Sequence, residues 1–216
     1  MTVLSAQTIT DLCIGRERRE LGMPPMIDPF LPDKVVINGK SAGLSSASYD
    51  LRIAHDLVLG PAPGEVLAQV LTEQISSSVG AMMAWIAHGV TKSPPCRALA
   101  HTVENFAMPI DVCAQVLDKS SYARHFITCF NTWIDPGWCG NLTLELVNLG
   151  SKEVIIRKGD PICQVAFWTL DKNTDRPYVN GKYSNQPARP VGARHERDDG
   201  TFEEELTPEA LASQCR

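Results

Sequence analysis

The stretch NLTLELVN (141–148) alternates. Leu142, Leu144 and Leu146 fall on one face, Thr143, Glu145 and Val147 on the other. That period predicts a strand with one face on a core. Further strands are expected in VIIRK (154–158) and ICQVAFWTL (162–170), with turns at IDPG (134–137), NLGSK (148–152) and KGDP (158–161). Upstream, residues 97–120 read as two strands split by a turn at Pro109–Asp111. SYDLRI (48–53) alternates, and KVVING (34–39) reads as a short strand before a turn. Many short strands with Gly/Pro/Asp turns predict an all-β barrel or jelly-roll-like fold.

A short amphipathic helix is expected over 5–20, with Ser5 as N-cap and Ile9, Leu12 and Cys13 on one stripe. Residues 22–33 hold four prolines and read as an irregular, extended connection. Residues 64–90 begin with helical spacing. Glu73, Gln74 and a serine run interrupt them, so they do not read as a membrane span. Met82, Met83 and Trp85 there read as core or a subunit contact. After Thr169 the chain turns polar, able to order over a ligand but not to form a core. The pattern predicts a β domain over 1–194 and a charged tail over 195–216, mobile or packed on a neighbour, with a short helix at 207–214.

Composition narrows the partners. The 216 residues are 44% hydrophobic and 21% charged, enough apolar material for a core. A net charge of −5 argues against a nucleic-acid partner, while allowing a local basic pocket for a small anion. The seven cysteines have no C-x-x-C spacing, and the N-terminus has no basic start or apolar run. A reducing, cytoplasmic compartment with free thiols is expected.

Lys119, Ser120, Ser121 and Arg124 are side-chain types that bind phosphate: charge-assisted cations and short hydroxyl donors. Glu145 has two readings, a solvent-facing strand carboxylate or a partly buried general base. Asp50 reads as a group that orders neighbouring atoms. The zinc deaminase pattern of H-x-E with P-C-x-x-C is absent. The five histidines lack metal-ligand spacing, so no zinc site is expected. Neither a Walker loop nor G-x-G-x-x-G occurs.

Several blocks, in order, resemble the dCTP deaminases of the dUTPase-like superfamily, especially the proteobacterial form. They are GLSSASYDLRIAHDL (43–57), ALAHTVENFAMPIDV (98–112), KSSYAR (119–124), IDPGWCGNLTLELVN (134–148), KGDPICQVAF (158–167) and GKYSNQ (181–186). The resemblance implies a dUTPase-like distorted β-barrel with a short N-terminal helix and a mobile C-terminal segment. It implies a homotrimer with active sites at subunit interfaces. The implied reaction is zinc-independent hydrolytic deamination of dCTP to dUTP and ammonia, with magnesium held through the substrate phosphates rather than by the protein. By this resemblance Lys119, Ser120, Ser121, Tyr122, Ala123 and Arg124 bind phosphate. Asp135, Thr143 and Leu144 read sugar and base, Tyr178, Lys182 and Gln186 close from the C-terminal side, and Glu145 is catalytic.

Two features depart from the family. Asp118 stands where it usually has Gly, a carboxylate able to repel the triphosphate or to pair with Lys119. HFITCFNTW (125–133) borders the pocket and looks closer to the dUTPase version of this turn. One alternative is therefore a dUTPase, or a bifunctional enzyme giving dUMP, with Asp135 orienting water. Another is a non-catalytic nucleotide-binding trimer.

Overall fold

The structure, a computed structural model, describes residues 2–62 and 94–204. It is mainly β. One sheet runs β10(Trp133–Ile134), β8(Val112–Asp118), β13(Pro161–Thr169), β5(Ser48–Arg52), β4(Lys40–Leu44), β3(Val35–Ile37), with β1(Thr2–Val3) on the far end of β13. The second runs β2(Ile27–Asp28), β7(Arg97–Ala107), β11(Cys139–Asn148), β9(Ile127–Cys129). Two small pairs join β12(Val154–Ile156) to β6(Leu57–Leu59), and β14(Arg194–Glu196) to β15(Phe202–Glu204). Every named pairing is antiparallel.

Alternation decides which face is buried. On β11 Leu144 and Leu146 are fully enclosed; on β7 Ala98, Ala100 and Phe106 turn the same way. They form one cluster with Tyr49 and Leu51 of β5 and Val165 and Phe167 of β13. Each enclosed leucine contributes roughly 1.5–3 kcal/mol. A buried ion pair ties β5 to β7, with Arg52 Nε 2.6 Å from Glu104 and the Arg52 N–H donating to the same carboxylate. The turn between β3 and β4 is Asn38–Gly39, both at positive φ, the conformation a two-residue hairpin requires.

The N-terminal helix divides. Helix α1(Ala6–Ile14) is capped by the Ser5 hydroxyl, which accepts from Thr8 N, and buries Ile9 and Cys13. The chain breaks at Gly15 before α2(Arg16–Glu20). Gly15 has extended ψ, and a Cβ there would lie 2.2 Å from the Asp11 carbonyl oxygen. Periodicity over 5–20 does not reveal that break.

The β14–β15 hairpin pairs Arg194 with Glu204, so it straddles the 194/195 boundary expected from composition. Glu204 accepts from the Arg189 guanidinium at 2.8 Å through both oxygens and from Gly192 N. The stretch 64–90 and the expected helix at 207–214 lie outside the described residues. Among the described residues no helix is long and apolar enough to cross a membrane.

Candidate active site

Glu145 stands on the β11 face that looks away from the core, opposite Leu99 of β7. It borders a cavity of about 730 Å³. Leu99, Phe130, Trp133, Trp138 and Leu142 supply much of the apolar lining, and Thr143 and Gln186 add polar groups. The Oε2 atom of Glu145 is buried and has no hydrogen-bond partner among the described residues. Burial pushes this carboxyl up to about 7, only partly opposed by its own backbone N–H. An acid so placed exchanges a proton near neutral pH, as a general base requires.

A C-terminal strap, residues 177–192, closes one side. Gly140 has φ 128 and pairs with Gln186 in a parallel bridge, and a Cβ there would lie 2.4 Å from Gln186 N. Asn141 N donates to the Gln186 carbonyl. The Gln186 side-chain oxygen accepts from the Thr143 hydroxyl at 3.0 Å and the Thr143 N–H at 3.2 Å. Val191 N donates to the same hydroxyl. Trp138 Nε1 donates to the Tyr183 carbonyl at 2.7 Å.

The run 119–124 lies elsewhere. Ser120–Ala123 form one helical turn, α3. Ser120, Ser121, Ala123 and Arg124 are exposed, whereas Tyr122 turns inward and its hydroxyl donates to Asp160 at 3.0 Å. Asp160 is fully buried and also accepts from Asn38, Lys40 and the Arg157 N–H. Burial would raise its pKa, but the Lys40 ammonium and the other donors outweigh it and hold the carboxyl below its ordinary value. Lys119 Nζ is 2.8 Å from one oxygen of buried Asp50, and Lys34 holds the other. Asp50 therefore orders neighbours, as its place on the strand suggested. Asp118 does not pair with Lys119; its carboxylate accepts from Thr128 and Cys129.

The structure thus brings Glu145, Thr143 and Gln186 together and leaves Lys119–Arg124 out of that cavity's lining. Leu144 points into the core, opposite Ala100. Asp135 is exposed just past β10, beside Ile134, which lines the cavity. Tyr178 packs against the core and its hydroxyl accepts from Tyr183 N, while Lys182 is exposed with Nζ 5.3 Å from the Tyr183 ring centre. Leu99 of the wall was not anticipated; its half-buried outward place in the β7 alternation was the available signal. Nothing local announces Lys34, Asn38, Lys40 and Asp160, because they reach Asp50, Tyr122 and one another only through the fold.

The model for the family described as dCTP deaminase-like matches residues 24–170, and the chain belongs to that family. A dCTP deaminase of Thermococcus kodakarensis is 39% identical over 158 residues, 73% of this chain and 84% of that protein. One from Acidobacterium capsulatum is 31% identical over 170 residues, 78% of this chain and 91% of that protein. A "dCTP deaminase, dUMP-forming" of Methanoculleus marisnigri is 29% identical over 175 residues, 79% of this chain and 87% of that protein.

Proposed function

We propose that this chain deaminates dCTP hydrolytically to dUTP and ammonia, with Glu145 as the base. The observation that carries the reading is the unpartnered, buried Glu145 oxygen facing a largely apolar cavity. Glu145 takes a proton from water as its oxygen bonds to C4 of cytosine, and N3 receives a proton. The second water proton then passes through Glu145 to the amine, the C4–N bond breaks, and ammonia leaves a C4 carbonyl. Among the described residues no group of three His, Cys, Asp or Glu is arranged to hold a metal. In this reading the carboxylate and the fixed strand prepare the water.

Ser120, Ser121 and Arg124 offer exposed donors to the triphosphate, and Lys119, held by Asp50, adds its charge beside them. They lie apart from the Glu145 cavity of the same chain, which supports a homotrimer in which one copy's run completes a neighbour's pocket. The run offers cations and hydroxyls, and the carboxylates of Asp50 and Asp118 are already engaged. That donor set fits magnesium carried by the triphosphate rather than caged by protein. The described cysteines are unpaired, which supports a reducing, cytoplasmic compartment.

A second reading, deamination followed by release of dUMP, is favoured by the dUMP-forming relative and by Asp135 beside the cavity wall. One assay tests both: dCTP with magnesium and the intact chain, measuring ammonia and separating dUTP from dUMP plus pyrophosphate. No ammonia from dCTP sinks the deaminase reading; dUTP without dUMP sinks the second.

A further inference from the structure

Asp118 ends β8, and the run 119–124 begins at the next residue. Its backbone is fixed, because its carbonyl accepts from Gln164 Nε2 at 3.0 Å. Its side chain reaches across to β9. One oxygen accepts from Cys129 N at 2.8 Å, and both accept from the Thr128 hydroxyl at 3.0 and 3.1 Å. The far side of β9 pairs with β11 at 146–148. The chain leaving β9 then forms the cavity wall. Phe130 N donates to the Glu145 carbonyl at 3.1 Å, and Val116 N donates to the Thr132 carbonyl at 3.0 Å. Phe130 and Thr132 both line the cavity.

We propose that Asp118 is a positioning residue for the nucleotide: its carboxylate pins 127–132 so that Phe130 and Thr132 form the wall against which the base lies beside Glu145. One residue then joins the start of the phosphate run to the base-reading wall. Bonds from a charged acceptor to a strand N–H and a hydroxyl are strong and directional, so the wall keeps one position. The carboxylate is committed to Thr128 and Cys129, while the Lys119 ammonium is committed to Asp50. Asp118 therefore acts through geometry rather than through charge on the phosphates.

This inference rests on the nucleotide reading above, so its test measures dCTP binding and turnover separately, together with amide exchange. In Asp118→Ala the Cys129 N–H and Thr128 hydroxyl lose their acceptor. We expect about a tenfold rise in Kd and KM for dCTP, with faster exchange confined to 127–132. In Asp118→Asn the amide oxygen still accepts from Cys129 N and the Thr128 hydroxyl turns to the amide. Binding and exchange should stay within about twofold of wild type.

Unchanged dCTP affinity in folded Asp118→Ala overturns the proposal, as does faster exchange spread evenly over the chain. Tighter dCTP binding by Asp118→Asn, without the same gain for deoxycytidine, also overturns it, because charge would then be the mechanism. If Asp118→Ala does not fold, Thr128→Val removes one donor. A severalfold loss of affinity with local exchange supports the proposal, and none overturns it. A wild-type chain that binds dCTP but releases no ammonia sinks the deaminase reading, and Asp118 is then judged by Kd alone.

Discussion

Asp160 and Glu145 are carboxylates that the same fold takes out of water, and they behave oppositely. Asp160 has Lys40, Asn38, Tyr122 and the Arg157 N–H around it, and its pKa is held down. Glu145 keeps one oxygen without a partner and is pushed up to about 7. Burial is common to both; the donors differ. Near the run 119–124 the fold spends carboxylates on holding α3 and the lysines in place. In the cavity it leaves one carboxylate available for proton transfer.

The largest expected effect removes that availability. Glu145→Gln should lower ammonia release from dCTP by about 10³-fold or more, of the order seen when essential proton-transfer groups are lost, with dCTP Kd within a few-fold by calorimetry. Retained turnover would dissolve the contrast. Next, Asp160→Ala strands Lys40 and the Tyr122 hydroxyl and should cost about 3–5 kcal/mol in denaturant unfolding. A cost below about 1 kcal/mol would mean that its donors are not holding the structure.

The third effect has the opposite sign. Glu145 is held protonated in the fold up to about 7, against an ordinary 4.5. Its contribution is fully present below the unfolded value and is lost as pH rises through the folded one. Glu145→Gln, which does not titrate, should therefore be the more stable protein above pH 7, by at most about 3 kcal/mol. Thermal melts at pH 5 and 8 check this, and an equal shift at both would refute it. The smallest effect lies in the pH profile. Wild-type kcat/KM should rise about tenfold per unit up to pH 7 and level off above. Phe130→Ala admits water beside Glu145 and should move that break to lower pH; an unmoved break would mean that Phe130 does not shield the acid.

The strands were legible because their signals are local: alternation marks β11, and apolar runs bounded by turn residues mark β7, β8 and β13, all of which fall where those signals put them. The Asn38–Gly39 turn was legible for the same reason. Glu145 was legible as a position on an outward face, but that one of its oxygens is buried without a partner depends on surroundings that only the fold brings together. Tyr122 shows the limit. It lies inside a run whose neighbours are exposed, and only Asp160, reached through the fold, explains why it turns inward. The fate of Asp118 was likewise undetermined between Lys119 and the phosphates, because its partners Thr128 and Cys129 become neighbours only when β9 lies down beside β8.

The strap along one side of the Glu145 cavity carries a consequence for affinity. Fixing a backbone residue costs about 1–2 kcal/mol of conformational entropy. For residues 177–192 a part of that cost is already met by bonds within the chain: Gln186 on Thr143 and Asn141, the Tyr183 carbonyl on Trp138, and Val191 on Thr143. A nucleotide entering the cavity has that much less ordering of this segment to supply from its own contacts. A larger share of its interaction energy is left for choosing among bases, which is what a preorganised wall contributes to affinity.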